Sequence, residues 1–470
     1  MTGAREITLR STPIPGLVLL DLPVHGDQRG WFKENWHRSK MTALGLPDFG
    51  PVQNNISFNQ VRGTTRGIHA EPWDKYISLA SGRIFGAWVD LRKGPTFGTV
   101  FCAELTPGEA VFVPRGVGNA FQTLSDNTAY VYLVNDHWSP GGQADYTFLN
   151  LDDKQVAVPW PIPLEHAVVS AQDRKHPGLS EVAAVEPRRT LVLGANGQLG
   201  RALRREFDDD PAVQFADRTD FDISDRGSYA KVDWKKYGTI INAAAFTAVD
   251  AAETETGRVA SWKINAAAMS LLAKTCMEHS MTLVHVSSDY VFDGSAAEHF
   301  EDEAPSPLGV YGQTKAAGDL AVAAVPRQYT IRCSWVVGEG NNFVRTMALL
   351  AARGVSPAVV DDQWGRLTFA ADIAAAIRHL LETKAAFGTY NLSCDGAPRT
   401  WAGIAQDVYQ LCGADPGIIR RVSTSDYAQP DSAPRPRNSV LNLSKIKAAG
   451  FAPSSYEQRL RKYLQDSQLL

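Results

Sequence analysis

Short apolar runs, separated by Gly, Pro and Asp turn positions, fill the first third of the chain. They lie at residues 16–20, 83–91, 110–114 and 128–134, and little helical periodicity occurs before about residue 160. Strands at this spacing are typical of β-sandwiches and jelly rolls. We therefore expect an all-β jelly-roll domain over residues 1–178.

The hydrophobic pattern changes at Thr190. A strand-like run at 190–193 precedes a helical pattern, and further strand-like runs at 239–243 and 282–286 alternate with Ala-rich helical stretches. One face of the first helical pattern carries the apolar positions Leu199, Ala202, Leu203 and Phe207. Alternating strands and helices predict a parallel sheet covered on both faces. We expect an α/β domain over residues 189–470, after a Pro-, Glu- and Ala-rich linker at 179–188.

Composition excludes several classes of function. The 470 residues carry a net charge of −4, which provides no electrostatic basis for binding nucleic acid or an anionic membrane. No apolar run reaches membrane-spanning length, and residues 1–10 lack the apolar core of a secretory signal. Five widely spaced cysteines without a CxxC pair indicate reduced thiols in a cytoplasmic protein, with no structural zinc.

A glycine-rich turn follows the strand-like run at 190–193. Gly194 falls where the turn is tightest, Gly197 where backbone meets a pyrophosphate, and Gly200 where helix meets strand, which is the pattern of a Rossmann dinucleotide site. Asp217 is placed to bind the ribose 2′-OH of NADH, whereas the adjacent Arg218 favours the 2′-phosphate of NADPH. We prefer NADPH and leave NADH open. The predicted cofactor site comprises Gly194, Asn196, Gly197, Gln198, Leu199, Gly200, Asp217, Arg218, Asp222, Ile223, Ala243, Ala244, Ala245, Tyr311 and Lys315.

Three side chains downstream predict reductive chemistry. Tyr311 and Lys315 are four residues apart, so they share one face of a helix, and a neighbouring ammonium lowers the pKa of a phenol. Such a phenol can donate a proton to a carbonyl that receives a hydride. Ser288 directly follows the strand-like run at 282–287 and can hydrogen-bond the same carbonyl.

Motifs throughout residues 188–470 resemble the extended short-chain dehydrogenase/reductases, and among these the dTDP-4-dehydrorhamnose reductases. They lie at 194–200, 242–250, 287–294, 311–315, 332–336, 341–343, 362–365 and 435–439. The resemblance implies that Ser288 orients a sugar ketone, Tyr311 is the acid and Lys315 supports it. It also implies a small substrate-binding lobe, with the nucleotide-sugar held by Thr247, Trp335, Asn341, Asn342 and Arg435. Leu367 stands where the family has proline, which affects only the local loop shape.

Motifs in the first domain resemble the dTDP-4-dehydrorhamnose 3,5-epimerases, a cupin-like jelly-roll family. They lie at 27–34, 53–57, 66–69, 89–98 and 160–161. The resemblance implies a His69–Asp173 base, Tyr132 as the acid on the opposite ring face, and no cofactor. It assigns the substrate to Arg29, Glu34, Gln53, Asn55, Arg66, Lys75 and Asn119. Asn119 replaces a family histidine, which predicts slower or altered epimerisation. No clustered histidine pattern argues for a metal.

Together the resemblances imply a bifunctional enzyme of dTDP-L-rhamnose synthesis. The first domain would invert C3 and C5 of dTDP-4-dehydro-6-deoxyglucose, and the second would reduce C4 of the product with NAD(P)H. Two alternatives stay open: a related pair that makes another deoxysugar, and a non-catalytic nucleotide-sugar-binding module fused to a working reductase. We expect dTDP-sugars as ligands, a homodimer formed through the jelly roll, and no nucleic-acid, membrane or metal partner.

Overall fold

The computed structural model describes residues 6–138, 142–208, 210–429 and 432–469. The chain divides into two compact units, Met1–Pro187 and Arg188–Leu470. The first is rich in strands and the second alternates strands with helices, as the two hydrophobic patterns predict. Within the described residues, no helix is both long enough and apolar enough to cross a membrane.

The described part of the first unit consists of two mainly antiparallel six-stranded sheets, a two-stranded hairpin and one short α-helix. Its elements are β1 (Thr8–Ser11), β2 (Val18–Asp21), β3 (His25–Asp27), β4 (Gly30–Phe32), α1 (Arg38–Ala43), β5 (Gln53–Asn59), β6 (Thr64–Ala70), β7 (Lys75–Ser81), β8 (Ile84–Asp90), β9 (Val100–Leu105), β10 (Glu109–Val113), β11 (Val117–Thr123), β12 (Thr128–Val134), β13 (Thr147–Phe148) and β14 (Val168–Val169). One sheet has the order β1-β2-β10-β7-β12-β5, and the other β13-β6-β11-β8-β9, with β14 added in parallel to β6. Ile77 and Val111 of one sheet pack with Trp88 and Phe121 of the other, so the sheets form a sandwich.

The boundary between the units differs from the predicted linker at 179–188. Leu179, Val182 and Val185 pack against apolar residues of the first unit. The Val185 amide donates to the Leu91 carbonyl (2.7 Å), and its carbonyl accepts from the Lys93 amide (2.9 Å). This segment therefore belongs to the first unit, because its apolar side chains cover the sandwich.

The second unit is built around a parallel sheet. Its elements are β15 (Arg189–Leu193), α2 (Gln198–Glu206), β16 (Val213–Ala216), α3 (Arg226–Ala230), β17 (Tyr237–Asn242), α4 (Glu255–Trp262), α5 (Ala268–Glu278), β18 (Thr282–Ser288), α6 (Val310–Ala323), β19 (Gln328–Cys333), β20 (Val336–Val337), α7 (Phe343–Ala352), β21 (Ala358–Val360), β22 (Trp364–Gly365), β23 (Thr368–Phe369), α8 (Ala370–Glu382), β24 (Gly388–Leu392), β25 (Arg399–Thr400), α9 (Trp401–Leu411), β26 (Arg420–Val422), α10 (Thr424–Tyr427), α11 (Ser444–Ala448) and α12 (Tyr456–Asp466). The sheet order is β16-β15-β17-β18-β19-β24, with every pair parallel.

Successive residues of β15 show that both sheet faces are covered. Val192 packs with Leu203 and Ile377 on one face, while Leu193 packs with Leu272 on the other. After β15 the chain passes to β16 on one side and later to β17 on the other, which creates the crevice where parallel sheets bind ligands. A separate apolar cluster holds α7, α9 and α12 together beside the sheet.

Candidate functional site

A cavity of about 900 Å³ opens at the carboxyl ends of β15, β17 and β18. All the residues predicted to bind the cofactor line it except Gly200, and so do Ser288, Thr247, Trp335, Asn341 and Asn342. Arg435 is not among the lining residues. The fold thus gathers one predicted site from segments that are up to 148 positions apart in the chain, between Gly194 and Asn342.

The glycine turn leaves no room for side chains. Gly194 has a φ of 80°, and a Cβ there would lie 2.7 Å from the Ala244 amide nitrogen. A Cβ on Gly200 would lie 2.2 Å from the Gly194 carbonyl oxygen, which explains why Gly200 supports the turn without facing the cavity. The amide nitrogens at the start of α2 are therefore open to a phosphate. This arrangement fits a dinucleotide pyrophosphate.

Asp217 and Arg218 lie side by side at the cavity rim. The Asp217 carboxylate accepts from the Thr219 hydroxyl (2.6 Å) and from Asn196 Nδ2 (2.7 Å), and these bonds lower its pKa. Arg218 is exposed and pairs with Asp222 at 3.3 Å. Asp217 thus organises its own turn, whereas the Arg218 guanidinium can leave its carboxylate for a phosphate.

The three residues predicted to act on a ketone meet inside the cavity. Ser288 ends β18, Tyr311 starts α6, and Tyr311 and Ser288 share a side-chain hydrogen bond. Burial raises the pKa of Tyr311, which is opposite to the lowering predicted from the neighbouring Lys315 ammonium. Lys315 lies one helical turn on, is 2% exposed, and donates to the Val286 carbonyl (2.7 Å). Burial lowers the pKa of Lys315, and the Asp319 carboxylate opposes that shift.

His285 lies beside this group and was not predicted from the sequence. Its Nε2 is 3.3 Å from Lys315 Nζ and 3.8 Å from Asp319 Oδ1, and its Nδ1 is 3.2 Å from Asn242 Nδ2. Burial and then the Lys315 charge lower the pKa of His285, so the ring is neutral. His285 lies in a run of buried strand residues and nothing in the sequence singled it out, because only the packing of α6 on β18 brings Lys315 to it.

Asp289 also escaped prediction. It is 3% exposed and its Oδ1 accepts from the Ser288 hydroxyl at 2.9 Å. Burial raises the pKa of Asp289 to about 6, against hydrogen bonds from Ser439 and Ser288 that lower it. This carboxyl group therefore fixes the direction of the Ser288 hydroxyl.

The far wall of the cavity carries two stacked indoles. Trp335 has a φ of 46°, which is strained for a residue other than glycine, and its ring stacks on Trp401 at 3.8 Å between centroids. Asn342 caps α7 by accepting from the Arg345 amide, and its Nδ2 donates to the Tyr463 hydroxyl at 2.7 Å. Asn342 therefore shapes the wall through bonds within the protein. Trp401 is a lining residue that the sequence did not reveal.

Arg435 forms an ion pair with Asp250 and a hydrogen bond with Tyr290. Its Nη2 lies 2.9 Å from both Asp250 oxygens, and the Tyr290 contact involves a side chain that lines the cavity. The Arg435 guanidinium thus contacts Tyr290, which lines the cavity, but does not itself line it in this structure. Its predicted contact with the nucleotide-sugar stays a prediction.

In the first unit the two residues predicted to form the base are in contact. His69 lies on β6 and its Nε2 is 3.0 Å from Asp173 Oδ1. Burial would raise the pKa of Asp173, but the His69 hydrogen bond and charge, together with Ser170 and His176, lower it overall. A carboxylate in this position holds one imidazole nitrogen and leaves the other to accept a proton.

The predicted acid and its neighbours lie on the facing sheet. Tyr132 is opposite Asn55 in the strand register, and the Lys75 ammonium lies 5.4 Å from its ring centroid. Burial, followed by the negative charge of Glu71, raises the pKa of Tyr132, while Arg66 lowers it. Buried Lys75 forms an ion pair with Glu71, which the sequence did not single out.

Other residues predicted for the first site are engaged elsewhere. Arg29 lies on the β3–β4 hairpin, is 90% exposed and pairs with Asp27. Glu34 pairs with Lys40, and Gln53 donates to Asn55 at 2.8 Å. Among the described residues, no hydrogen bond or ion pair joins Arg29 or Glu34 to His69, so their substrate role stays a prediction.

Comparisons with known proteins divide the chain in the same way. Residues 188–469 match the RmlD substrate binding domain family, and residues 11–181 match the dTDP-4-dehydrorhamnose 3,5-epimerase family. The protein RmlC homolog of Streptococcus pyogenes is 48% identical over 37% of this chain and 90% of its own length. The dTDP-4-dehydrorhamnose reductase of Aggregatibacter actinomycetemcomitans is 35% identical over 58% of this chain and 97% of its own.

A solved structure supports the match of residues 188–469. The dTDP-4-dehydrorhamnose reductase of Bacillus anthracis in complex with NADP is 30% identical, with a TM-score of 0.55 over 59% of this chain and 99% of its own. The chain thus belongs to the RmlD substrate binding domain family over residues 188–469, and ahead of that to the dTDP-4-dehydrorhamnose 3,5-epimerase family over residues 11–181.

Proposed function

We propose that this chain is a bifunctional enzyme that makes dTDP-L-rhamnose from dTDP-4-dehydro-6-deoxyglucose. The first unit inverts C3 and C5, and the second reduces the C4 ketone. The observation that carries the proposal is the presence of both catalytic groups in one chain: His69 with Asp173, and Ser288 with Tyr311 and Lys315. The epimerase family match of the first half and the reductase relative of the second half support the two activities.

For the epimerisation we infer a proton-transfer mechanism. C3 and C5 are both adjacent to the ketone, so removal of either proton gives an enolate. His69, oriented by Asp173, takes the proton, and the Tyr132 hydroxyl returns one to the opposite face. The raised pKa of Tyr132 keeps it protonated until then. We further propose that the two-sheet sandwich is a cupin-like jelly roll.

For the reduction we infer that Tyr311 donates the proton that the new alkoxide needs. The Ser288 hydroxyl turns from Asp289 to donate to the ketone oxygen, and the Lys315 ammonium stabilises charge on the phenolate. NADPH supplies the hydride when it is bound, and its use is supported by the NADP in the related structure. The tight turn at Gly194 and the Arg218 guanidinium would hold its pyrophosphate and 2′-phosphate.

We also infer a homodimer formed through the first unit. Strand β5 lies at the edge of its sheet, and Ile56 and Phe58 on it are 68% and 56% exposed. Trp31 and Phe32 on the β3–β4 hairpin are exposed as well. Light scattering of wild type and an Ile56→Lys/Phe58→Lys variant tests this: the variant is expected to halve the mass.

The test of function uses the full chain in D₂O with dTDP-4-dehydro-6-deoxyglucose. Without NADPH, NMR should show deuterium at C3 and C5; with NADPH, dTDP-L-rhamnose should form. Reduction without exchange would favour a non-catalytic first unit. Exchange followed by a different product would favour synthesis of another deoxysugar. Asn119, which replaces a family histidine, is the reason to test for that outcome.

A further inference from the structure

A third imidazole lies beside the His69–Asp173 pair. His69, Asp173 and His176 each offer one ligand atom, and these atoms all lie within 4.8 Å of one another. The two histidine rings are 5.4 Å apart between centroids. No clustered histidine pattern occurs in the sequence, because 106 residues separate His69 from His176 and the fold alone brings them together.

The nitrogens of His176 are unsatisfied. Both are buried, and neither has a hydrogen-bond partner in the described part of the chain. The ring face stacks on Phe148 at 4.7 Å, so the in-plane nitrogens are the groups left to bind. Buried polar atoms without partners are costly, and in proteins they commonly mark a ligand or an ion.

The backbone holds this third residue in place. Asn150 Nδ2 donates to the His176 carbonyl (2.9 Å), and the Asn150 amide donates to the Pro177 carbonyl (2.8 Å). The Asp173 amide donates to Ser170 Oγ at 3.0 Å. A rigid frame of this kind presents two imidazoles and one carboxylate from β6 and the turn that follows residue 172.

We propose that His69, Asp173 and His176 form a Zn²⁺ site that switches the epimerase off. Tetrahedral zinc binds imidazole and carboxylate at about 2.1 Å, which places the ligand atoms about 3.4 Å from one another, so the cluster would contract by up to about 1.4 Å around the ion. An ion held by both His69 and Asp173 would break the contact between His69 Nε2 and Asp173 that orients the base, and the fourth position would stay open. The inhibitory consequence rests on the proposed epimerase function; the binding does not.

Binding is tested on the metal-stripped full chain by competition with a chromophoric zinc chelator. His176→Phe keeps the stacking on Phe148 but removes both nitrogens, and His166→Gln is the matched control, since His166 is exposed and outside the cluster. Wild type and control should bind one more Zn²⁺ than His176→Phe, or bind it at least about tenfold more tightly. Equal binding by all three proteins would overturn the site. His176→Gln provides the same comparison if the phenylalanine variant does not fold.

Inhibition is tested by solvent deuterium exchange into the keto-sugar, with reduction of preformed dTDP-4-dehydrorhamnose as the reference reaction. Zn²⁺ should stop exchange at concentrations that leave reduction unchanged, and EDTA should restore it. His176→Phe should raise the half-inhibiting concentration at least about tenfold. Inhibition of both reactions together, or an unchanged value in His176→Phe, would overturn the switch. A chain that binds zinc at this cluster but shows no exchange without it would contradict the epimerase instead.

Discussion

The Nδ2 of Asn119 donates a hydrogen bond to the hydroxyl of Tyr130 at 3.1 Å. Asn119 is also directly opposite His69 in the strand register, so both side chains lie on the same face of the sheet. Burial raises the pKa of Tyr130 well above its ordinary value, and the ring stacks on Phe121 at 4.3 Å. The asparagine that replaces a family histidine is therefore held by a core tyrosine beside the base.

This pairing separates two neighbouring tyrosines by function. Tyr132→Phe should abolish proton return and reduce epimerisation by at least about 100-fold. Tyr130→Phe should retain most activity but lose about 1–3 kcal/mol of unfolding free energy, because the buried Asn119 amide loses its partner. Exchange rates by NMR and chemical unfolding of both variants check this. Loss of activity in Tyr130→Phe with Tyr132→Phe unaffected would reassign the acid.

Asp173→Asn tests the orientation of the base. An amide can still contact His69 Nε2, but it neither carries charge nor holds the same tautomer, so exchange should fall by about 10²–10⁴-fold. Reduction of preformed dTDP-4-dehydrorhamnose should stay at the wild-type rate, which makes the second unit an internal control for folding. A variant with normal exchange would show that Asp173 only packs against the ring.

The spacing of residues along the sequence predicted the glycine turn and the Tyr311–Lys315 pair. It did not predict which side chains of distant strands and helices would be in contact. One turn positions Gly194 and Gly200, and one helix positions Tyr311 and Lys315. The number of residues between the members of each pair therefore determines their geometry. The partner of Lys315 on β18, or of Asn119 on β12, depends on strand register and packing. His176 carried one usable signal, its place three residues after Asp173, but not its approach to His69.

His285 should behave as a positioning residue for Lys315. His285→Leu removes the ring nitrogens 3.3 Å from the ammonium and 3.2 Å from Asn242, so kcat for reduction should fall about tenfold while KM for the dTDP-sugar holds. His285→Gln should restore part of the loss, since an amide can again contact Lys315. Steady-state kinetics of both variants provide the check. If kcat is unchanged and only stability falls, the His285 ring has a structural role and does not position Lys315 for catalysis.

Asp289 predicts a specific dependence of stability on pH. Its folded pKa of about 6 lies above the ordinary value of 3.8, so the folded state binds the proton more tightly between these values. Stability therefore falls as pH rises through this window, by up to about 3 kcal/mol, and levels off above it. Asp289→Asn removes the effect, so its stability relative to wild type should increase from pH 4 to pH 6.

The matched control for this experiment is Asp293→Asn. Hydrogen bonds from Ser295 hold the pKa of Asp293 below its ordinary value, so its difference from wild type has the opposite sign and lies below about pH 4. Calorimetry across pH 3–8 measures both variants. A pH-independent difference for Asp289→Asn would mean that the carboxyl ionises normally.

Arg218 should decide the choice of cofactor. Among the residues that the structure describes, its exposed guanidinium pairs with Asp222 at 3.3 Å, and a 2′-phosphate with two charges would be the stronger partner. Arg218→Ala should raise KM for NADPH at least about tenfold and leave KM for NADH nearly unchanged, because NADH has a hydroxyl there. Lys236→Ala, an exposed cation paired with Asp233 and absent from the cavity lining, is the control. Equal losses with both cofactors would show that Arg218 acts on the turn around Asp217 and leaves the 2′-phosphate to other residues.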